Sequence, residues 1–362
     1  MEKATRIFEC SKGQLVSFRG EKDPFNPKNV IEGFLCKKKG NQTGSLFIVS
    51  VNGEQLEEPQ SIWGVPSFNS TRSKGEWANL ICKEFLFSRK HCGENVQFFV
   101  YKDKKMNKFV SAKERQSVFV KDTQIKKFIS EKFGEKNRQL LVDTEQLPDA
   151  LKNLNSDFQS ISFELCGTNF PQLLKYDFES ELKELFMIDE KGKVYPSLKE
   201  SEKQIFISQK DLQEKILEKE RIAEENNEQF KMQNRLEKKV LYSQFIDEGY
   251  VLYLLDESGS VKEGRRIFKV KPKQLLFTHQ VNFDSGFQLA CLEAFDKIAK
   301  RGDKVGSESM RKEMDLSQVQ FRKWEKEILS FVKERPHPSL KPEKESKSVL
   351  LILNGLPGKS PF

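Results

Sequence analysis

Several charged side chains in this sequence stand where they could carry phosphate chemistry. Lys37 closes an apolar, β-prone run that begins at Ile31, and it is followed by Lys38-Lys39-Gly40 and the polar stretch Asn41 to Gly44. A lysine fixed at a strand end beside other cations can lose its proton near neutral pH and act as a nucleophile. The same residues also read as a solvated lysine cluster in a hairpin turn. Glu164 alternates with Phe163 and Leu165, so it leaves its strand on the opposite face, toward solvent or a polar pocket. Glu248 heads Glu248-Gly249-Tyr250-Val251, the start of the strongest β pattern in the chain. Lys269 and Lys271 are two apart and leave one face of a strand. That pairing suits a bound anion, or alternatively protects a sheet edge. Arg19-Gly20 ends a short strand, and Ser73-Lys74-Gly75 lies in a basic turn that suits phosphate or solvent.

The elements that must position these groups are mixed. Strands are expected at 14–18, 45–51, 95–101, 160–165, 184–189, 248–255 and 266–271, with Asn52-Gly53 as a hairpin turn and Pro272 as a stop. Apolar spacing predicts a helix over 76–87, and Asp122 is the expected N-cap of a helix over 122–133. Residues 108–120 are expected to hold hairpin partners of the 95–101 strand, and 197–241 reads as exposed helix or a helical hairpin. From about 281 to 332 the pattern is again helical, and 336–342 reads as a linker.

Composition narrows the function classes. The 362 residues are enough for two or three domains, and 37% hydrophobic with 32% charged residues fits a polar but foldable chain. No run approaches the roughly 18 apolar residues of a membrane span, and the N-terminus lacks the apolar core of a signal peptide. Six scattered cysteines without Cys-x-x-Cys pairs argue for a reducing compartment and against structural zinc. A cytoplasmic or nuclear location is therefore expected. The three histidines are far apart in sequence, which disfavours a Ser-His-Asp triad or a multi-histidine metal site. A net charge of +8 suits a polyanionic partner such as nucleic acid.

Taken in order, these stretches resemble the motifs of the covalent nucleotidyltransferase superfamily, and most closely ATP-dependent RNA ligases of the bacteriophage and tRNA-ligase kind. Arg19-Gly20 with Phe25-Asn26 resembles the first strand and loop. Lys37-Lys38-Lys39-Gly40 resembles the Lys-x-x-Gly nucleophile motif, and Ser73-Lys74-Gly75 the turn after it. Phe163-Glu164, the strand around Phe186, Glu248-Gly249-Tyr250-Val251 and Lys269-Val270-Lys271 resemble the later motifs. The resemblance implies an α+β fold: a nucleotidyltransferase (ligase adenylation) domain of antiparallel sheets with flanking helices over 1–275, followed by a smaller helical domain over 276–335. It also implies ATP as substrate, RNA as partner, and joining of a 5′-phosphate to a 3′-hydroxyl through a lysyl-AMP intermediate on Lys37. Arg19 and Lys74 would contact phosphates, Phe186 the adenine, and Lys269 and Lys271 the α-phosphate. Glu164 and Glu248 would hold Mg²⁺.

The sequence departs from the pattern in two places. Asn41-Gln42-Thr43-Gly44-Ser45-Leu46 is a competing match that would put Asn41 in the lysine's place. The interval from Lys37 to Glu164 is long, which an insertion at about 76–146 would explain; Lys113, the other lysine considered, has no following glycine at motif spacing. DNA ligases and capping enzymes share the lysine, glutamate and twin-lysine motifs, and a decayed, non-catalytic RNA-binding domain is a further reading. The tail, 349–360, resembles the first strand and phosphate loop of a kinase domain over a linker and truncated P-loop segment, 336–362. Gly355-Leu-Pro-Gly358-Lys359-Ser360 is two residues short of a working loop.

Overall fold

The structure, a computed structural model, describes residues 1–37, 43–71, 82–133, 151, 154, 158–170, 174–236, 245–261, 266–272 and 275. Of the C-terminal part it describes 291, 294–295, 297–314, 321, 325–326, 328–329 and 332. Lys74, Asn41 and the 336–362 tail lie outside these residues.

A short helix, α1 (Glu2–Ile7), precedes an antiparallel sheet of β1 (Leu15–Lys22), β2 (Val30–Cys36), β3 (Leu46–Val51) and β4 (Glu54–Ile62) in chain order. Asn52 and Gly53 join β3 to β4 with φ of 56° and 77°. Two left-handed residues in succession match the twist of a tight hairpin, which explains the Asn-Gly pair.

The next strands build two larger sheets. They are β5 (Asn69–Ser70), β6 (Glu84–Arg89), β7 (Glu94–Lys102), β8 (Lys108–Glu114), β9 (Ser160–Cys166), β10 (Glu181–Ile188), β11 (Val194–Pro196), β12 (Ser201–Ile205), β13 (Tyr250–Leu255) and β14 (Ile267–Val270). One sheet runs β11-β10-β9-β7-β8, and the other β12-β6-β13-β14-β5. All their neighbours pair antiparallel except β14 with β5.

Alternation along the strands sets the layers. Val96, Phe98, Ile161, Phe163 and Leu165 face α2 (Thr123–Phe133), which buries Ile125, Ile129 and Phe133. Asp122 caps this helix as expected, its Oδ1 accepting from the amides of Gln124 and Ile125 at 2.8 and 3.0 Å. The two larger sheets meet through Leu86, Val251, Tyr253 and Ile267 on one side and Phe186 and Ile188 on the other. Phe85, Phe87, Leu252 and Leu254 point away, under a 28-residue helix, α3 (Gln209–Leu236), which buries Leu212 and Ile216. The order of layers is therefore helix, sheet, sheet, helix. The first sheet packs on Phe99 and Tyr101 of β7. Asp23, 1% exposed, ties that sheet down by accepting from Tyr101, Ser111 and Asn26 at 2.7 to 2.8 Å.

Two expectations need correction. Residues 84–87, predicted as the end of a helix, belong to strand β6; it is covered on both faces, so Phe85, Leu86 and Phe87 are apolar in succession and the period of two is lost. Residues 201–205, predicted as helix, form β12, so among its described residues the predicted helical stretch holds one strand and one helix. The interval read as an insertion contains β6, β7 and β8, which pair inside both larger sheets. The described C-terminal residues form their own cluster, from Cys291 to Val332, including α4 (Ser307–Glu313). Among the described residues, no helix is long and apolar enough to cross a membrane.

Candidate active site

Where β6 ends, the chain crosses from one large sheet to the other through Lys90-His91-Cys92-Gly93 and enters β7. The crossing lies at a cleft of about 460 Å³ between the sheets. Its polar wall includes Arg89, Lys90, Asn95, Arg115, Glu164 and Lys269, and its apolar wall includes Val65, Phe68, Leu185, Val251 and Tyr253.

Glycine is required at two of the closest approaches. A Cβ on Gly93 would stand 2.2 Å from the carbonyl oxygen of Leu165, and one on Gly249 (φ +94°) 2.1 Å from that of Val270. The Gly93 amide donates to Glu164 Oε1 at 3.0 Å, and the Lys90 amide donates to the Gly249 carbonyl at 2.9 Å. The lysine loop is thus stitched to both sheets. Gly93→Ala is expected to cost about 1–3 kcal/mol, as insertion of a methyl into packed backbone does. Urea denaturation checks this; an unchanged midpoint would contradict the packing.

Glu248 is 1% exposed and binds two ammonium groups. Lys90 Nζ donates to its Oε2 at 2.8 Å, and Lys271 Nζ to its Oε1 at 2.6 Å. Burial lowers the pKa of Lys90, but Glu248 and Glu164 outweigh it and hold the amine above its usual range. Burial, with Lys90 and Lys271 adding repulsion, pushes Lys269 down to about 8. Burial also pushes Glu164 up to about 7 against the pull of Lys90. Helix α3 supports the corner: buried Asn227 accepts from the amides of Ile246 and Asp247 at 3.0 Å each and donates to the Asp247 carbonyl.

The residues singled out in the sequence separate into groups. Glu164 and Lys269 line the cleft, while Glu248 and Lys271 are joined to it through Lys90. Phe186 is fully buried behind the wall, edge-on to Phe68 at 6.4 Å, and its neighbour Leu185 faces the cleft. Arg19 is exposed on β1 and does not line the cleft. Lys37 is exposed; its amine donates to the Gln116 carbonyl at 2.9 Å, so it reaches a lining residue without lining the cleft itself.

Sequence reading passed over Lys90. The signal was present: Lys90-His91-Cys92-Gly93 has Lys-x-x-Gly spacing after an apolar strand, and Lys90 precedes Glu164 by 74 residues, against 127 for Lys37. Arg115, also passed over, enters the cleft from the end of β8. Lys113 beside it is completely buried, donating to the Glu114 carbonyl at 3.1 Å. Gly44 packs on this turn, its absent Cβ 3.1 Å from Lys113 Nζ.

Burial pushes Lys113 down to about 7. A lysine with a depressed folded-state pKa adds stability above its unfolded pKa and loses it as pH falls through the folded value. Lys113→Met is therefore expected to be more stable than the parent near pH 6. The advantage should shrink by up to about 1.4 kcal/mol per pH unit between about pH 7 and 10. Melting curves over that range check this, and parallel profiles would contradict it.

No family model matches the chain, and no curated protein matches it. Among solved structures, an archaeal ATP-dependent RNA ligase is similar in form 1 at 13% identity and TM-score 0.46, covering 91% of this chain and 76% of that one. In form 2 the values are 12% and 0.41, covering 83% and 70%. A candidate ATP-dependent DNA ligase from Aquifex aeolicus is similar at 12% identity and TM-score 0.38, covering 98% and 88%.

Proposed function

We propose that this chain is a covalent nucleotidyltransferase of the ATP-dependent RNA ligase type, with Lys90 rather than Lys37 as nucleophile. The supporting observation is that Lys90, Glu164 and Lys269 line one nucleotide-sized cleft, with Glu248 and Lys271 buried behind Lys90 and paired to it in a chain. In this reading Lys90, whose amine the carboxylates hold protonated beforehand, gives a proton to Glu248 as its Nζ forms a bond to the α-phosphorus of ATP and pyrophosphate departs. Glu248, 2.8 Å from the amine, orients it and is the nearest base. Lys269 and Arg115 offset charge that builds on the phosphate oxygens. The apolar wall, with Val65, Phe68, Leu185, Val251 and Tyr253, accommodates the base. AMP then passes to an RNA 5′-phosphate, and a 3′-hydroxyl displaces it to seal the strand.

The donor set also fits Mg²⁺, which takes one or two carboxylates together with substrate phosphates. Glu164, which lines the cleft, would hold it together with the substrate phosphates, and Glu248, whose oxygens are taken by Lys90 and Lys271, would reach it only on release of one of those lysines; the ion would supply charge neutralisation along the triphosphate. The +8 net charge supports a nucleic-acid substrate.

Incubation with α-labelled ATP and Mg²⁺, followed by denaturing electrophoresis, tests the reading. Label retained on the protein supports it. Label from GTP instead points to a capping-type enzyme, ligation of nicked DNA in preference to RNA points to a DNA ligase, and no label leaves a non-catalytic RNA-binding domain.

A further inference from the structure

A second cavity, of about 420 Å³, shares Arg89, Lys90 and His91 with the nucleotide cleft. Its far wall is the stretch from Lys175 to Phe178, faced by Phe230 of α3. Tyr176, Phe178 and Phe230 are half-buried, with the Tyr176 and Phe178 rings 5.0 Å apart. Lys175 is exposed, its amine over the Phe230 ring at 5.4 Å, and Arg89 is exposed at the junction of the two cavities. The carboxylate of Glu200 is engaged by Lys183 at 3.4 Å and faces His91 at 3.5 Å. Aromatic rings interleaved with cations bind single-stranded nucleic acid, the rings taking bases and the cations phosphates.

The cavity is also mechanically joined to the lysine loop. The Tyr176 hydroxyl accepts from the Cys92 amide and donates to the Cys92 carbonyl, each at 3.0 Å. A base resting on Tyr176 therefore rests on the residue that holds Lys90-His91-Cys92-Gly93 in place.

We infer that this second cavity receives the terminal nucleotide of a single-stranded nucleic acid, its base on the Tyr176, Phe178 and Phe230 rings and its phosphate between Lys175 and Arg89. The inference deepens the transferase reading by naming where the strand end lies relative to Lys90. RNA and DNA share the ring and the phosphate, so both are tested.

The probe is a 5′-phosphorylated, fluorescein-labelled 12-mer, as RNA and as DNA, titrated with the full chain and followed by anisotropy. Lys175→Glu and Phe178→Ala are each expected to weaken binding about tenfold. Lys104→Glu, the same charge change on the exposed β7–β8 turn, is expected to leave it unchanged. The arm that binds tighter and loses more identifies the polymer. Equal affinity for Lys175→Glu and the parent, or an equal loss for Lys104→Glu, overturns the site.

A second measurement needs no variant. A 5-iodouridine at the strand terminus, crosslinked to the parent protein, is expected on the peptide carrying Tyr176 and Phe178 or on that carrying Phe230. Crosslinks confined to other peptides overturn the inference. Labelling of the parent by ATP is measured on the same preparation. Labelling without these losses sinks the strand site alone; the losses without labelling sink the transferase reading alone.

Discussion

Lys90→Ala is expected to abolish covalent labelling by α-labelled ATP, a loss of about 10³-fold or more, as when an enzyme loses its nucleophile. Lys37→Ala is expected to label within about twofold of the parent. The contrast follows from geometry. Lys90 stands in the crossing between the two large sheets, with its amine 2.8 Å from a buried carboxylate, and lines the cleft. Lys37 is exposed and spends its amine on the Gln116 carbonyl. Lys90→Arg separates chemistry from charge: it keeps a cation opposite Glu248 but cannot form the adduct, so it too should fail to label while remaining folded. Full labelling of Lys90→Ala together with its loss in Lys37→Ala would return the nucleophile to Lys37.

Glu248→Gln is expected to produce the largest loss of stability, about 3–5 kcal/mol, the range for breaking a buried ion pair by removing one partner. Lys90 and Lys271 would then face each other and Lys269 with no carboxylate between them. The pH dependence has a definite sign. In the parent the raised Lys90 pKa contributes stability that is fully present below about 10.5, the unfolded value, and is lost above it. Without Glu248 the largest upward influence on Lys90 is gone, and burial, opposed then by Cys92 and Glu164, brings its pKa below that of the parent, so stability relative to the parent is lost as pH falls. The deficit of Glu248→Gln relative to the parent should therefore be greatest at pH 6–7 and shrink toward pH 9.5. Chemical denaturation at three pH values measures it, and a deficit that does not vary with pH would show that the carboxylate is not acting as the counter-charge.

The two results together bear on the metal reading. Loss of labelling in Glu164→Gln with little change in stability would separate a role at the triphosphate from one in folding, because Glu164 is held toward its neutral form without ligand.

Local signals in the sequence determined a good deal. The Asn52-Gly53 turn, the Asp122 cap and the outward Glu164 all depend on periods and turn chemistry that act within a few residues. A mixed α+β chain of mostly antiparallel strands was legible for the same reason. Tertiary structure alone decided which lysine meets Glu248, because that contact closes a loop of 158 residues. It also decided that residues 84–89 are a strand: between two neighbours and covered on both faces, β6 has Phe85, Leu86 and Phe87 in succession, a run whose period no local rule reads. Misreading that strand as helix hid the Lys-x-x-Gly at its end, since a motif that follows a strand is recognised only once the strand is.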